Sequence, residues 1–269
     1  VKKSETSYAG SEGEEKAQKT YNYNYAGTLV KTTTSFTYDA EVLKSSLTVK
    51  GADGTVRKSQ TFYSGNQGEE KSDYTYNYDA AGLNVKTTTR FTYAADTLNS
   101  SVTYKGANGT VRKSETFYAG NEGEEKAQKT YNYDAAGAVV KTTTAFTYAD
   151  DTLSSSLTTR GMDTTVKTSQ TFYAGAEGEE KSDYTYNYSF DGLAVKTTTR
   201  FTYSADALIS SATVRGQNGT VIKSETLYTG SEGDEKAQKT YNYNYAGTEV
   251  VTTTSFIYTN DALSGSLTT

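Results

Sequence analysis

Apolar and polar residues alternate with a period of two along most of the chain. In AVVKTTTAFTY, Val140, Thr142, Thr144, Phe146 and Tyr148 fall on one side, and Lys141, Thr143, Ala145 and Thr147 on the other. In LSSSLTTR, Leu153 and Leu157 share a side with Ser155 between them; in TYNY, Tyr131 and Tyr133 point one way, Thr130 and Asn132 the other. Such a period gathers each set on one face of a β-strand, whereas helical spacing would scatter it. Turn signals interrupt the pattern at AGNEG after Tyr118, DAAG after Tyr133, ADDT after Tyr148 and Gly161 after Arg160. Four strands of roughly 8–11 residues joined by short loops predict a β-meander. Loops this short hold no crossover helix, so neighbouring strands are expected to be antiparallel.

This pattern is copied end to end. The segment VKKSETSYAG at Val1 returns at Val56, Val111, Val166 and Val221, each time 55 residues on. The expected units are residues 1–55, 56–110, 111–165, 166–220 and 221–269, the last six short of the full length that would end at 275. That early stop, and the absence of an initiating Met, read as a window on a longer polypeptide or a mature fragment. Self-similarity at a fixed period is the signature of repeat architectures. The predicted fold is therefore all-β: tandem four-stranded antiparallel meanders in one extended array, as a tube, a shell or a β-solenoid-like fibre. Equivalent positions form series along it. Tyr21, Tyr76, Tyr131, Tyr186 and Tyr241 make one and Phe36, Phe91, Phe146, Phe201 and Phe256 another, expected to stack as ladders between repeats.

A second rhythm spans two repeats. Odd repeats read EKAQKTYNY and even ones EKSDYTYNY; Arg90 and Arg200 in even repeats replace Ser35, Ala145 and Ser255. Asp73, Tyr74 and Arg90, repeated as Asp183, Tyr184 and Arg200, are read as one local set in which Arg stacks on Tyr and pairs with Asp. Neutral drift after duplication of a 110-residue block is the alternative.

Composition narrows the function classes. Only 34% of residues are apolar, too few for a thick aliphatic core, but the 25 Tyr and abundant Thr suit a half-wet pleated surface. There is no Cys, His, Trp or Pro. The usual zinc, copper and haem ligands are thus missing, as is the commonest general base. A formal charge of −5 gives no basic footprint for nucleic acid, and no apolar run is long enough for a membrane span.

Candidate chemistry is sparse. The acidic turns cluster Glu122, Glu124 and Glu125 around Gly123, the only candidates for a hard cation such as calcium. They match no calcium-loop spacing, and a solvated hairpin is the preferred reading. Adjacent carboxylates on a strand face opposite ways, and the same pair recurs in five places, unlike a single catalytic pocket. No Ser or Thr sits in a nucleophile elbow. The expectation is no enzyme, no catalytic residues and no cofactor. Tyr rows could stack against glycans.

The YNYD-x-x-G core at Tyr131 to Gly137, repeated from Tyr76 to Gly82, resembles the YD repeats of RHS and teneurin-type proteins. Three repeats replace the Asp with Asn24, Ser189 or Asn244, the usual Arg after the Gly is absent, and the 55-residue unit is long. The regular units are also similar to giant repetitive bacterial surface proteins. The resemblance implies a large, extracellular, β-rich shell or stalk with no catalytic residues. The expected function is a structural element of a cell-surface filament, tube or sheath, in which continuous strand pairing carries load. Its expected partner is itself, through end-to-end or lateral β pairing; an adhesin-like stalk holding glycans or calcium and an RHS-like encapsulating shell are the alternatives.

Overall fold

The computed structural model describes residues 1–259 and 262–269, which contain strands and turns and no helix. The chain forms two compact units, Val1–Lys141 and Thr142–Thr269. The first contains β1 (Ser4–Ala9), β2 (Lys16–Tyr23), β3 (Val30–Asp39), β4 (Val42–Lys50), β5 (Arg57–Ser64), β6 (Lys71–Tyr78), β7 (Val85–Ala94), β8 (Thr97–Lys105), β9 (Arg112–Ala119) and β10 (Lys126–Tyr133). β11 (Val140–Ala149) spans the boundary. The second unit continues with β12 (Thr152–Arg160), β13 (Lys167–Ala174), β14 (Lys181–Tyr188), β15 (Val195–Ser204), β16 (Ala207–Arg215), β17 (Ile222–Thr229), β18 (Lys236–Tyr243), β19 (Val250–Thr259) and β20 (Ala262–Thr268).

From β1 to β10, each strand pairs antiparallel with the next. The same holds from β11 to β20. The all-β antiparallel meander is as the alternation predicts. The tight hairpin between the third and fourth strands of each repeat places two residues at positive φ, Ala95 (45°) and Asp96 (72°) in repeat 2. Both central residues of a type I′ turn need that region, which matches strand twist at some steric cost to a side chain. In the acidic turn Gly120 is obligatory: its φ is +138° and a Cβ there would lie 2.6 Å from the Glu124 carbonyl oxygen.

Each of the pairings within β1–β10 and within β11–β20 carries one register shift, at a fixed place in the repeat. Between β5 and β6, Phe62 faces Tyr74 and Tyr63 faces Ser72, leaving Asp73 as the extra residue. Lys86 is the extra residue between β6 and β7, and Lys113 between β8 and β9. Such bulges increase twist and re-aim a side chain. Four per repeat, always in the same places, build the same bend into each unit.

Among the described residues there is no thick core. The buried apolar residues are Tyr131, Ala207 and Val214, and the largest fully buried side chains are Thr33, Thr88 and Thr198. Cross-strand hydroxyl pairs serve instead. Thr6–Thr20, Thr34–Thr48, Thr61–Thr75 and Thr89–Thr103 each close at 2.9 Å, as do their equivalents in the second unit. Pairs of this kind contribute about 0.2–1 kcal/mol each. Summed over a unit, they amount to a sizeable part of a domain's usual net stability of about 5–15 kcal/mol.

Within each unit the aromatic series do not stack between repeats. Tyr21, Tyr76 and Tyr131 lie on β2, β6 and β10, and Tyr186 and Tyr241 on β14 and β18. Because only sequence neighbours pair, equivalent residues within a unit are four strands apart, about 19 Å at about 4.8 Å per strand. That is beyond ring contact. Phe36, Phe91, Phe146, Phe201 and Phe256 instead face serines across the third hairpin, at Ser46, Ser101, Ser156, Ser211 and Ser266.

Candidate functional site

Ring contacts run within a repeat. Phe62 stacks on Tyr74 at 4.6 Å and meets Tyr76 edge-on at 5.5 Å; Phe172, Tyr184 and Tyr186 repeat this at 4.6 and 5.5 Å. In repeat 3 Phe117 meets Tyr131 edge-on at 5.6 Å. Arg90 lies over the Tyr74 ring at 5.8 Å, and Arg200 over Tyr184 at 5.8 Å. Two members of the alternating set therefore meet, because Tyr74 and Arg90 are register partners. Asp73 does not join them as an ion pair: it is the exposed bulge residue, and Asp183 holds the same place. Their negative charge still acts at a distance. Burial first, then Tyr76 and Asp73, push the Tyr74 phenol up against the pull of Arg90, and Tyr184 follows the same rule.

The acidic turn is not merely a solvated hairpin. The Glu125 carboxylate accepts the Gly123 amide of its own turn at 2.9 Å and the Leu98 amide of the preceding repeat at 2.8 Å. Glu70 does the same with Gly68 (2.8 Å) and Leu43 (2.9 Å), and Glu180 with Gly178 (3.0 Å) and Leu153 (2.9 Å). Glu235 accepts from Leu208 at 3.0 Å. One carboxylate thus clamps each repeat to the one before it. The backbone donors, Leu98 foremost, hold the Glu125 carboxyl below its ordinary value, and Leu43 does so for Glu70. The clamping residue is Glu in all five repeats, whereas its neighbour becomes Asp234 in the last.

Lys71 adds an ionic staple beside the clamp, reaching Asp96 at 3.0 Å and Glu122 of the next repeat at 2.9 Å. Lys181 reaches Asp206 at 2.8 Å and Glu232 at 3.2 Å. Lys71, Asp96 and Glu122 line a cleft of about 390 Å³ that also contains Tyr93. The calcium candidates are therefore parted among different tasks: Glu125 clamps, Glu122 pairs with Lys71, and Glu124 accepts Asn121 at 3.3 Å. Among the described residues no group of three acidic side chains converges on one point.

The opposite ends of the strands carry the YNYD-x-x-G turn. Asp134 accepts the amides of Ala138 (2.9 Å) and Val139 (3.3 Å), Asn24 those of Thr28 (2.9 Å) and Leu29 (3.0 Å), and the Ser189 hydroxyl that of Ala194 (3.1 Å). The turn needs an acceptor and not a charge, which explains the Asp, Asn and Ser variants. A guanidinium reaches this turn from another strand: Arg57 donates to the carbonyls of Gly82 (3.0 Å) and Leu83 (3.3 Å) and stacks over Tyr78 at 4.4 Å. Beside the equivalent turn of repeat 3 lies a second cleft, about 360 Å³, lined by Lys86, Lys105, Arg112, Lys113 and Tyr133 among others.

Sequence reasoning missed one recurrent residue, the middle Thr of each TTT. Thr88 donates to the carbonyls of Gly106 (2.6 Å) and Ala107 (2.9 Å) and is 1% exposed. Thr33 bonds Gly51 (2.7 Å) and accepts from the Asp53 amide (3.1 Å). In the first four repeats the loop after the fourth strand curls over this hydroxyl. The signal was present as three successive Thr identical in every repeat, which alternation alone does not require.

These features define a class, a tandem-repeat antiparallel β-meander held by hydrogen-bond clamps and not by a core. No protein-family model matches the chain, and no curated protein matches it. Among solved structures, it is similar to TcdB2-TccC3-TEV (TM-score 0.30, 12% identity), covering 95% of this chain and 14% of that one. It also resembles the Photorhabdus luminescens Tc holotoxin pore (TM-score 0.25, 11% identity), over 94% of this chain and 16% of that one. It is also similar to a porin-like protein from Bacteroides uniformis (TM-score 0.28, 12% identity), over 98% of this chain and 93% of that one.

 The chain thus spans 14% and 16% of the two toxin structures' length.

Proposed function

We propose that the chain is a non-catalytic structural element of a secreted or cell-surface assembly, in which its repeats set spacing and bend. The observation that carries this reading is the inter-repeat clamp, in which one invariant Glu per turn ties successive hairpins together. What recurs with the repeat is devoted to joining repeats, whereas a catalytic or ligand-binding centre is normally built once. The junction between a fourth strand and the next first strand is the same wherever it occurs, as in β4–β5 and β8–β9. A second molecule of this chain offers the same strand chemistry, so end-to-end pairing extends the array.

Fibre diffraction of the purified chain tests the reading. The expected pattern has a meridional reflection near about 4.8 Å and a longer spacing near about 19 Å per repeat. The Phe62–Tyr74–Arg90 arrangement, present only in even repeats, adds a spacing near about 38 Å, twice that of one repeat. Discrete particles without the 4.8 Å meridional reflection would contradict it.

A further inference from the structure

Turns alternate between two edges in each unit, and charge is sorted between them. One edge holds the acidic turns and the tight hairpins, with Glu12, Glu14, Glu15, Asp39 and Glu41 against Lys16 in repeat 1. The other holds Lys86, Lys105, Arg112 and Lys113 around a cleft of about 360 Å³, with Tyr133 and Val111 supplying apolar surface. Lys31, Lys50, Arg57 and Lys58 occupy the equivalent positions one repeat earlier, and Lys196, Arg215 and Lys223 those in the second unit.

The basic cleft is built by the backbone. Lys86 and Lys113 are the extra residues of two bulges, which take their side chains off the strand's regular alternation. Lys86, Lys105 and Lys113 are exposed, and among the described residues their ammonium groups make no hydrogen bond or ion pair. Asp134, the acid lining the cleft, is already held by the Ala138 and Val139 amides, which keep its carboxyl below the ordinary value. Arg112 is engaged by Tyr133 at 3.4 Å and Glu115 at 3.6 Å. Three ammonium groups are left without a counter-charge.

On the acidic edge, the carboxylate preceding the clamp is the one left over. Among the described residues the exposed Glu14 carboxylate has no partner, and the Glu124 carboxylate accepts only from Asn121, at 3.3 Å. Both edges repeat once every four strands, about 19 Å, so their charges share one period by construction.

We propose that the basic clefts receive the acidic turns of a second molecule of this chain, joining molecules side by side, edge to edge. Glu14, Glu69, Glu124 and Glu179 enter the lysine clefts, and the shared period keeps successive contacts in step. The contact is heterologous and does not close on itself, so it builds rafts or bundles. It rests on the self-assembling reading above but is a separate contact, made by turns and not by strand pairing.

Charge-swapped variants of the full chain test it by sedimentation and light scattering. One variant carries Lys→Glu at Lys50, Lys58, Lys86, Lys105, Lys113 and Lys223; the other carries Glu14→Lys, Glu69→Lys, Glu124→Lys and Glu179→Lys. Lateral association of the wild type is expected at about 0.02 M salt and is expected to be lost at about 0.5 M, where screening is short-ranged. Each variant alone is expected to associate at least about tenfold more weakly, a difference of about 1.4 kcal/mol. Mixing the two is expected to restore association, since every edge then meets its opposite. Circular dichroism matching the wild type shows that each variant is folded. Wild-type chains that stay apart at low salt, an acid-edge variant that associates as well as wild type, or a mixture with no recovery overturns the proposal. The 4.8 Å meridional reflection is expected to persist in both variants, so loss of lateral contact alone is distinguishable from failure of the structural reading.

Discussion

At the residue scale, small polar side chains do the work that aliphatic ones do in a globule. Thr88 is the clearest case, a hydroxyl 1% exposed that holds the loop after β8 through two carbonyls. Thr88→Val keeps the shape but leaves those acceptors without their donor. The expected loss is about 1–3 kcal/mol, the usual desolvation cost of an orphaned buried polar group. An unchanged urea midpoint would show the loop to be held otherwise. Alternation placed Thr88 on a face but gave no reason for burial, because a period of two does not say which loop folds back over the strand. The Asp73–Tyr74–Arg90 set was legible in part for a related reason. Register partners can be counted once a hairpin is recognised, but the bulge that moves Asp73 out of the row has no sequence mark.

At the scale of elements, the hairpin pattern was the most legible part of the chain. Gly-containing turns, alternating faces and the 55-residue period lead directly to twenty strands paired with their neighbours. The stacking of equivalent Tyr and Phe residues did not follow, since a meander sets four strands between them. One element also keeps local strain. Ala95 sits at φ 45° in the tight hairpin between β7 and β8, a region that costs a residue with a Cβ about 1–2 kcal/mol. Ala95→Gly removes that clash at some cost in chain entropy, and the net expectation is a gain of about 0.5–1 kcal/mol. Thermal denaturation reads it directly: a lower Tm would mean the turn is not strained. Asp96, its neighbour in the turn, is better left in place because Lys71 pairs with it at 3.0 Å.

At the scale of the whole molecule, the sequence showed charge as a total of −5 and as recurring acidic turns. Its division between two edges requires knowing which turns share an end of the strands. The titrating groups are expected to give the protein a broad pH plateau. Backbone donors hold Glu70 and Glu125 below their ordinary 4.5, and Asp134 below 3.8. Their contribution is present above those ordinary values and is lost as pH falls through the lower folded ones. Burial pushes the phenols of Tyr38, Tyr93 and Tyr203 above their ordinary 10.0, so their contribution is complete below that value and is lost as pH rises through the folded ones. With no His in the chain, nothing side-chain-borne is expected to titrate between. Urea midpoints should be flat from about pH 5 to about pH 9 and fall on either side; a slope between about pH 6 and 8 would contradict this assignment.

The central claim is that repeats are held to one another by a glutamate clamp in place of a hydrophobic core. Amide hydrogen exchange at neutral pH, in the wild type and in Glu125→Gln, tests it most directly. The Leu98 amide is predicted to be protected in the wild type and to lose at least about tenfold of that protection in the variant, about 1.4 kcal/mol, while the amides of Leu43 and Leu208 keep theirs. Fast exchange at Leu98 in the wild type, or protection there that Glu125→Gln leaves untouched, would contradict it.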